Sequence, residues 1–299
     1  MRPDLVSLAL FVRVAEARSL TKAAEASHIA LAAASRRIQQ LEEQYGVQLL
    51  YRSSKGVELT PAGATLLVHA RTLMSAVDQM GADISDYSRG MKGMVRVQAN
   101  ASALAQYLPD DLATFAARHP AIRISLGEER SVAIVEALRT GACDVGIVME
   151  GAEAEGLELL DYRTDTLCAV VPKRHPVRAR RLAFADLLDH DFVGLESNTV
   201  ISQLMLAQAQ RSEKPLRLRV QVKSFDVVAK MIQAGLGIGI LPEAAARAFA
   251  PSMGLRLVQL TDSWATRRMF VCTRQYGSLP AAARQLVDHL QAGGKPHSK

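Results

Sequence analysis

Apolar positions in the first 90 residues recur at helical spacing, with one hairpin-like break near residue 50. Leu5, Leu8, Val12 and Ala15 mark a first amphipathic helix. Its charged start and apolar centre have the outline of a signal peptide, but Asp4 and Arg13 interrupt the run, so a helix is the reading. SLTKAAEASH follows as a short Ala-rich helix capped by Ser19. In IALAAASRRIQQLEEQYG, Ala34, Ile38, Leu41 and Tyr45 step along one face, which predicts a helix burying all four and ending at Gly46. LLYRSSKGVELT predicts two short strands around a Ser-Ser-Lys-Gly turn, and Thr60-Pro61 opens a long helix with Thr as N-cap. Along that helix Leu66, Ala70, Leu73, Val77, Met80, Ile84 and Tyr87 alternate steps of four and three, the seam of a two-helix coiled coil. One chain supplies one such helix, so the expected partner is a second copy.

Beyond residue 90 the pattern changes to β-type runs alternating with helical runs, the signature of an α/β fold with parallel strands. Strands are expected at MVRVQAN, IRISLGE, DVGIVM, LCAVVP, RVQV, GIGILP and MFVCT. Helices are expected at ALAQYLPDDLATFAARH, VAIVEALRTG, VISQLMLAQAQR, DVVAKMIQAG and LPAAARQLVDHLQAG. The closing GGKPHSK reads as a disordered tail. GLGIGI follows a helix instead of opening one, so it is not a dinucleotide fingerprint. Gly235 reads as a helix C-cap, and Gly237 and Gly239 as close-packing positions.

Three helices, a two-stranded wing and a long exit helix make a winged helix-turn-helix. In that architecture the second helix of the turn motif enters the major groove by its N-terminal end. The face with Leu31, Ala32, Ala33 and Gln40 is then the candidate groove surface, its small side chains letting the helix sink toward thymine methyls. Ser35, Arg36 and Arg37 are placed for phosphates, and Arg52 and Lys55 on the wing for the backbone or the minor groove.

Charge alone does not carry this reading. The 299-residue chain has a formal net charge of +6, yet residues 1–90 hold ten Lys/Arg against nine Asp/Glu. The basic run KRHPVRARR, Lys173 to Arg181, reads as a solvated loop. Cys143, Cys168 and Cys272 lie far apart without CxxC pairing, as expected of buried reduced thiols in a cytoplasmic protein. No apolar run reaches the ~18 residues of a membrane span. There is no G-x-S-x-G elbow, no HExxH, and the histidines lack metal-ligand spacing, so no catalytic residue, metal or cofactor is expected and an α/β enzyme is the weaker reading. A solute-binding transport component would need a signal peptide and would leave the first 90 residues unexplained.

The run from Leu10 to Leu67 resembles the DNA-binding domain of LysR-type transcriptional regulators. The resemblance rests on Ser19-Leu-Thr-x-Ala-Ala, Ala34-Ser35-Arg36-x-Ile38-x-x-Leu41-Glu42, Gly46-Val-x-Leu-Leu, Arg52 and Leu59-Thr60-x-Ala62-Gly63. It continues to Gly235-Leu-Gly-Ile-Gly-Ile-Leu-Pro242 and beyond. Where the family usually opens its recognition helix with Ser-Gln-Pro or Ser-Gln-Ser, this chain has Ala30-Leu31-Ala32, so the base-reading position is apolar. The resemblance implies a winged domain at 1–60, a linker and dimerisation helix at 61–90, and an effector-binding domain at 91–295. That last domain would be two-lobed like a type 2 periplasmic binding protein, with lobes 91–162 plus 269–295 and 163–268, the backbone crossing near Arg163-Thr164 and Arg267-Arg268. It also implies antiparallel linker pairing in a homodimer or homotetramer, RNA polymerase as a partner if the protein activates, and an effector held between the lobes. Strand ends that run into helix starts nominate Asn100, Ala101, Ser102, Arg130, Ser131, Asn198, Thr199, Ser224 and Phe225 for that site, and Arg130 points to a carboxylate.

Overall fold

The computed structural model describes residues 4–53, 56–88 and 93–294, with the backbone alone at 78–79, 82–88 and 294. The chain divides into two compact units. One is Met1–Arg96 with Ala121–Ser125 and Glu136–Asp144; the other is Val97–Pro120, Leu126–Val135 and Val145–Lys299. Among the described residues no helix is long and apolar enough to cross a membrane.

The first unit opens with α1 (Leu5–Ala17), where Asp4 Oδ1 accepts from the Ser7 backbone N–H at 2.8 Å. That bond, with a second from the Ser7 hydroxyl, holds the Asp4 carboxyl below its usual range. α1 buries Leu8, Leu10, Phe11 and Val14, whereas Leu5 is 45% exposed. The buried stripe is thus rotated from the predicted one, because apolar residues surround this helix and periodicity alone does not choose a side.

α2 (Leu20–Ala26) is capped by Ser19 Oγ, and α3 (Leu31–Tyr45) ends at Gly46 with φ 67°. Ala34, Ile38 and Leu41 are buried as expected, but Tyr45 is 43% exposed. Glu42, not Tyr45, fastens the end of α3: its Oε1 accepts the backbone N–H of Leu49 at 2.8 Å and of Leu50 at 3.1 Å. β1 (Leu50–Ser53) then pairs antiparallel with β2 (Gly56–Leu59). Thr60 caps α4 (Pro61–Ser88), its Oγ1 accepting from Gly63 N at 3.0 Å and donating to Gln48 O at 2.7 Å. Further along α4, Ser75 Oγ donates to Gly141 O and accepts from Arg96 Nη1 at 3.1 Å. Arg96 in turn grips Asp144 with Nη2 at 2.8 Å and Nε at 3.1 Å.

The α/β part runs β3 (Met94–Ala99), α5 (Ala101–Leu104), α6 (Leu108–Arg118), β4 (Arg123–Glu128), α7 (Ser131–Thr140), β5 (Val145–Met149), β6 (Glu158–Pro172), β7 (Arg181–Leu182) and β8 (Phe192–Leu195). It continues with α8 (Val200–Arg211), β9 (Leu218–Val222), α9 (Phe225–Gln233), β10 (Gly239–Pro242), α10 (Glu243–Phe249), β11 (Leu255–Leu260), β12 (Thr266–Thr273) and α11 (Ala281–Gly294). The predicted helix at 103–119 is two helices, since Pro109 is tolerated only in the first turn of α6. β7, β8, β11 and α10 are additions to the predicted set. Gly293 and Gly294, read from sequence as the start of a disordered tail, belong to α11, and the rest of that tail lies outside the described residues.

The main sheet has the order β4-β3-β5-β12-β6-β11-β7, with β10 also on β6. β6 and β12 run through both lobes. β12 pairs with the first part of β6 from Thr266↔Thr166 to Thr273↔Glu158, while the second part of β6 takes β10 on one side and β11 on the other. The second lobe closes over Phe184, Phe192, Ile201, Val228, Ile232 and Leu241, all in one buried cluster. Each such side chain, fully removed from water, contributes ~1.5–3 kcal/mol. Gly237 has φ 151°, and a Cβ there would lie 2.4 Å from Asp191 O, so β10 starts two residues later than the predicted strand. The three cysteines are buried thiols, not disulfide-bonded, and burial pushes the Cys168 thiol up to about 12.

The seat of α4 gives a direct test. A Cβ on Gly63 would stand 2.0 Å from Leu49 O, so Gly63→Ala must displace the wing from the helix. We expect a loss of ~1–3 kcal/mol in thermal unfolding. Gly81→Ala meets nothing within 4 Å and should stabilise the same helix slightly. Equal melting of the Gly63→Ala variant and the parent would refute this packing.

Candidate functional site

The first candidate surface is the start of α3. Leu31, Ala32 and Ala33 are exposed there, and Ala30 supplies no side-chain cap, so the first N–H groups of the helix are open. Arg36 and Gln40 are exposed on the same side. The remaining candidates have further duties. Arg52 Nη1 donates to Ser35 Oγ at 3.1 Å, and Arg52 Nη2 lies 3.6 Å from Glu42 Oε2, bracing the wing against α3. Arg37 lies 3.7 Å from Asp4 Oδ1 and reaches Ser7 Oγ at 3.5 Å, which ties α3 to the start of α1. Arg36 has no ion-pair partner among the described residues. Lys55 lies outside them.

The predicted seam of α4 divides by function. Ala70 is fully buried in the core of its own winged domain and Leu66 packs against that core. These two residues therefore stabilise the domain and do not present a free seam. Leu73 and Met80 are 49% and 58% exposed, and Val77 is half-buried. The side chains of Ile84 and Tyr87 lie outside the described residues.

The second candidate site is a pocket of about 370 Å³ between the lobes of the α/β part. α5 supplies Ala101 and Leu104, β8 Leu195, α9 Phe225, and α10 Ala245 and Phe249, which makes the lining mostly apolar. Its charges are Glu128, Lys223 and Asp226. Lys223 Nζ is 4.0 Å from Glu196. Ser224 Oγ donates to Asp226 Oδ1 at 2.5 Å, and that bond holds the carboxyl below its usual range. Ser224 thus leaves the N-terminal N–H groups of α9 uncapped.

Of the nine residues nominated from sequence, Ala101, Ser224 and Phe225 line this pocket. The other six do not, and four of them are spent on the fold. Asn100 caps α5 and donates from Nδ2 to Ile147 O at 3.0 Å. Ser131 Oγ accepts from Met149 N at 3.1 Å. Thr199 caps α8 and donates to Glu196 O at 3.0 Å. Ser102 Oγ accepts from Arg267 Nη2 at 3.3 Å. Arg130 and Asn198 are exposed outside the lining. The pocket wall made by α10 escaped sequence reasoning. Glu243 and Arg247, an i,i+4 ion pair within EAAARAF, are the signal that marks this helix.

Behind the pocket, Arg267 on β12 faces Asp165 on β6 in register and binds it through Nη2. Their side chains are 6% and 0% exposed. Burial draws the guanidinium below its usual range and the carboxylate opposes that shift.

Comparison with known proteins adds to this geometry. A family model for the LysR substrate binding domain matches residues 88–295, and one for the lysR-family bacterial regulatory helix-turn-helix protein matches residues 5–64. The HTH-type transcriptional regulator YbhD of Escherichia coli (strain K12) is 27% identical over 288 residues, covering 95% of this chain and 90% of its own length. The transcriptional dual regulator GltC of Bacillus subtilis (strain 168) is 26% identical over 246 residues, 81% of each chain. Full-length CbnR complexed with its target DNA shares the fold at a TM-score of 0.69 and 21% identity, over 97% of this chain and 100% of that one. Full-length BenM matches at 26% identity and a TM-score of 0.58, over 99% of this chain and 100% of that one.

Proposed function

The chain belongs to the LysR family of bacterial transcriptional regulators, and we propose that the exposed start of α3 is the surface with which it reads DNA. The protein is a sequence-specific DNA-binding regulator whose activity a small-molecule effector modulates. The observation that carries our assignment is the open N-terminus of α3, with Leu31, Ala32 and Ala33 exposed beside an unpaired Arg36. Small apolar side chains there favour contact with thymine methyls and with groove shape, and Arg36 serves a phosphate. In this reading residues 1–60 are the DNA-binding domain, 61–90 the linker and 91–295 the effector domain. Its lobes are 91–162 with 269–295, and 163–268. Such a protein works in the cytoplasm, where its DNA is, and as an activator it contacts RNA polymerase.

The effector lies in the pocket between α5, α9 and α10. Eight apolar side chains in the lining call for a compact, mainly apolar molecule. The carboxylate expected from Arg130 loses that partner. Lys223 and the open N-terminus of α9 remain for a single negative charge, whereas Glu128 and Asp226 oppose a second. A second copy of the chain covers the exposed seam at Leu73 and Met80, giving a homodimer or a dimer of dimers.

Three measurements check this reading. With a mixed-sequence duplex, Arg36→Ala should make the slope of log affinity against log salt shallower by ~1 without lowering the melting temperature. Arg52→Ala should lower both, because it also loosens the wing. Parental slopes from both variants would remove this face from the DNA contact. Replacing Leu73 and Met80 together by Lys should dissociate the oligomer in light scattering; an unchanged mass would place the interface elsewhere. In a thermal-shift series, phenylacetate should stabilise the protein more than succinate, and Ala105→Trp, which fills the pocket from a further lining residue, should abolish the effect. A preference for phenethylamine or succinate would overturn the assignment of charge.

A further inference from the structure

The run Lys173–Arg181, which its sequence suggests is a solvated loop, is built into the second lobe. Arg256 on β11 donates from Nη1 to Ala179 O at 3.1 Å and from Nη2 to Val177 O. Gln259 N donates to Arg180 O at 2.9 Å, and Gln259 also lies opposite Arg181 in the parallel pairing of β11 with β7. These bonds carry Arg180 and Arg181 to the rim of a second concavity, about 690 Å³ in volume and separate from the effector pocket.

The charge of this concavity is one-sided. Arg180, Arg181, Arg247 and Arg256 line it, against one carboxylate, Glu243. Glu243 is already engaged by Arg247, through Nε at 3.1 Å and Nη2 at 2.5 Å. Arg180 and Arg181 are exposed and have no carboxylate partner among the described residues. Gathering like charges in a hollow costs self-repulsion that a bound polyanion removes. The floor is apolar, formed by Ala250, Pro251, Leu255 and Leu257, which suits the organic part of a ligand.

We propose that this concavity is a second small-molecule site, distinct from the effector pocket, for a phosphorylated metabolite carrying two or more negative charges. Two adjacent guanidinium forks match the several oxygens of a phosphoryl group, each able to accept a charge-assisted hydrogen bond. The concave shape favours a small ligand over the convex backbone of a duplex. Arg256 is the positioning residue: it spends its donors on Val177 and Ala179 and so fixes the loop that carries Arg180 and Arg181.

The test is calorimetric titration of the full chain with inorganic pyrophosphate at constant ionic strength, with citrate as a non-phosphoryl polyanion. We expect saturable binding at one site per chain that citrate does not reproduce. Arg180→Ala with Arg181→Ala should weaken it by roughly ten- to a hundredfold, the change that corresponds to losing a charged hydrogen bond. Arg36→Ala, on the DNA-reading face, should leave it intact. The proposal fails if the parent shows no saturable heat, if citrate binds equally well, or if the double variant binds like the parent. It fails equally if Arg36→Ala abolishes the binding, which would move the anion to the DNA face. A double variant that keeps pyrophosphate binding but loses salt-dependent affinity for a duplex would assign the patch to DNA instead.

Discussion

The ion pair between Arg267 and Asp165 holds the α/β half of the molecule in register. Both groups are out of water, and removing each charge from solvent costs several kcal/mol unless the partner is in place. They meet only because β12 and β6 pair Arg267 with Asp165; a slip of one residue would turn each side chain to the opposite face of the sheet. Among the described residues Asp165 Oδ1 and Arg267 Nε find no hydrogen-bond partner, so the pair rests on the contact from Arg267 Nη2 to Asp165 Oδ2. Ser102 joins the pair from α5, and α5 forms one wall of the proposed effector pocket. The position of that wall is therefore referred to a charge pair buried behind it.

A comparable economy governs the winged domain. Glu42 fastens two backbone N–H groups of the hairpin and also faces Arg52, while Arg52 reaches Ser35 on α3. A single carboxylate thus couples the wing to α3, the helix we propose for the groove. Among the described residues the brace leaves Arg36 without an ion-pair partner, so the side chains that hold the shape differ from the one we propose for a phosphate.

Local chemistry written within a few residues was legible in the sequence. Ser19, Thr60, Gly46 and Gly235 sit at helix ends, where their side chains or their φ suit them to stand. The stripe Ala34, Ile38 and Leu41 was plain because polar residues flank it. α1 lacks that contrast, so spacing alone does not mark the side with Leu8, Leu10, Phe11 and Val14 as the buried one. The proposed effector site was legible only in part, for a physical reason: Asn100, Ser131 and Thr199 carry groups that serve a cap or an adjacent strand as readily as a ligand. Which use prevails depends on partners far away in sequence, such as Ile147 and Met149. The same distance hid Arg180 and Arg181, whose setting depends on Arg256.

The strand order has a consequence for how this chain is made. β12 lies between β5 and β6, yet Arg267 follows Asp165 by 102 residues. A ribosome therefore releases the whole second lobe before the strand that joins β5 to β6 exists. That lobe is one uninterrupted stretch whose two ends come together at the buried ion pair, so it can collapse as a unit while the first lobe waits. Until β12 emerges, β5 (VGIVM) and the more polar first part of β6 are open sheet edges, and β5 is the kind of apolar surface that pairs with other chains. The vulnerable period in the life of this protein is thus the interval of synthesis between residues 172 and 273, and chaperone demand should be concentrated there.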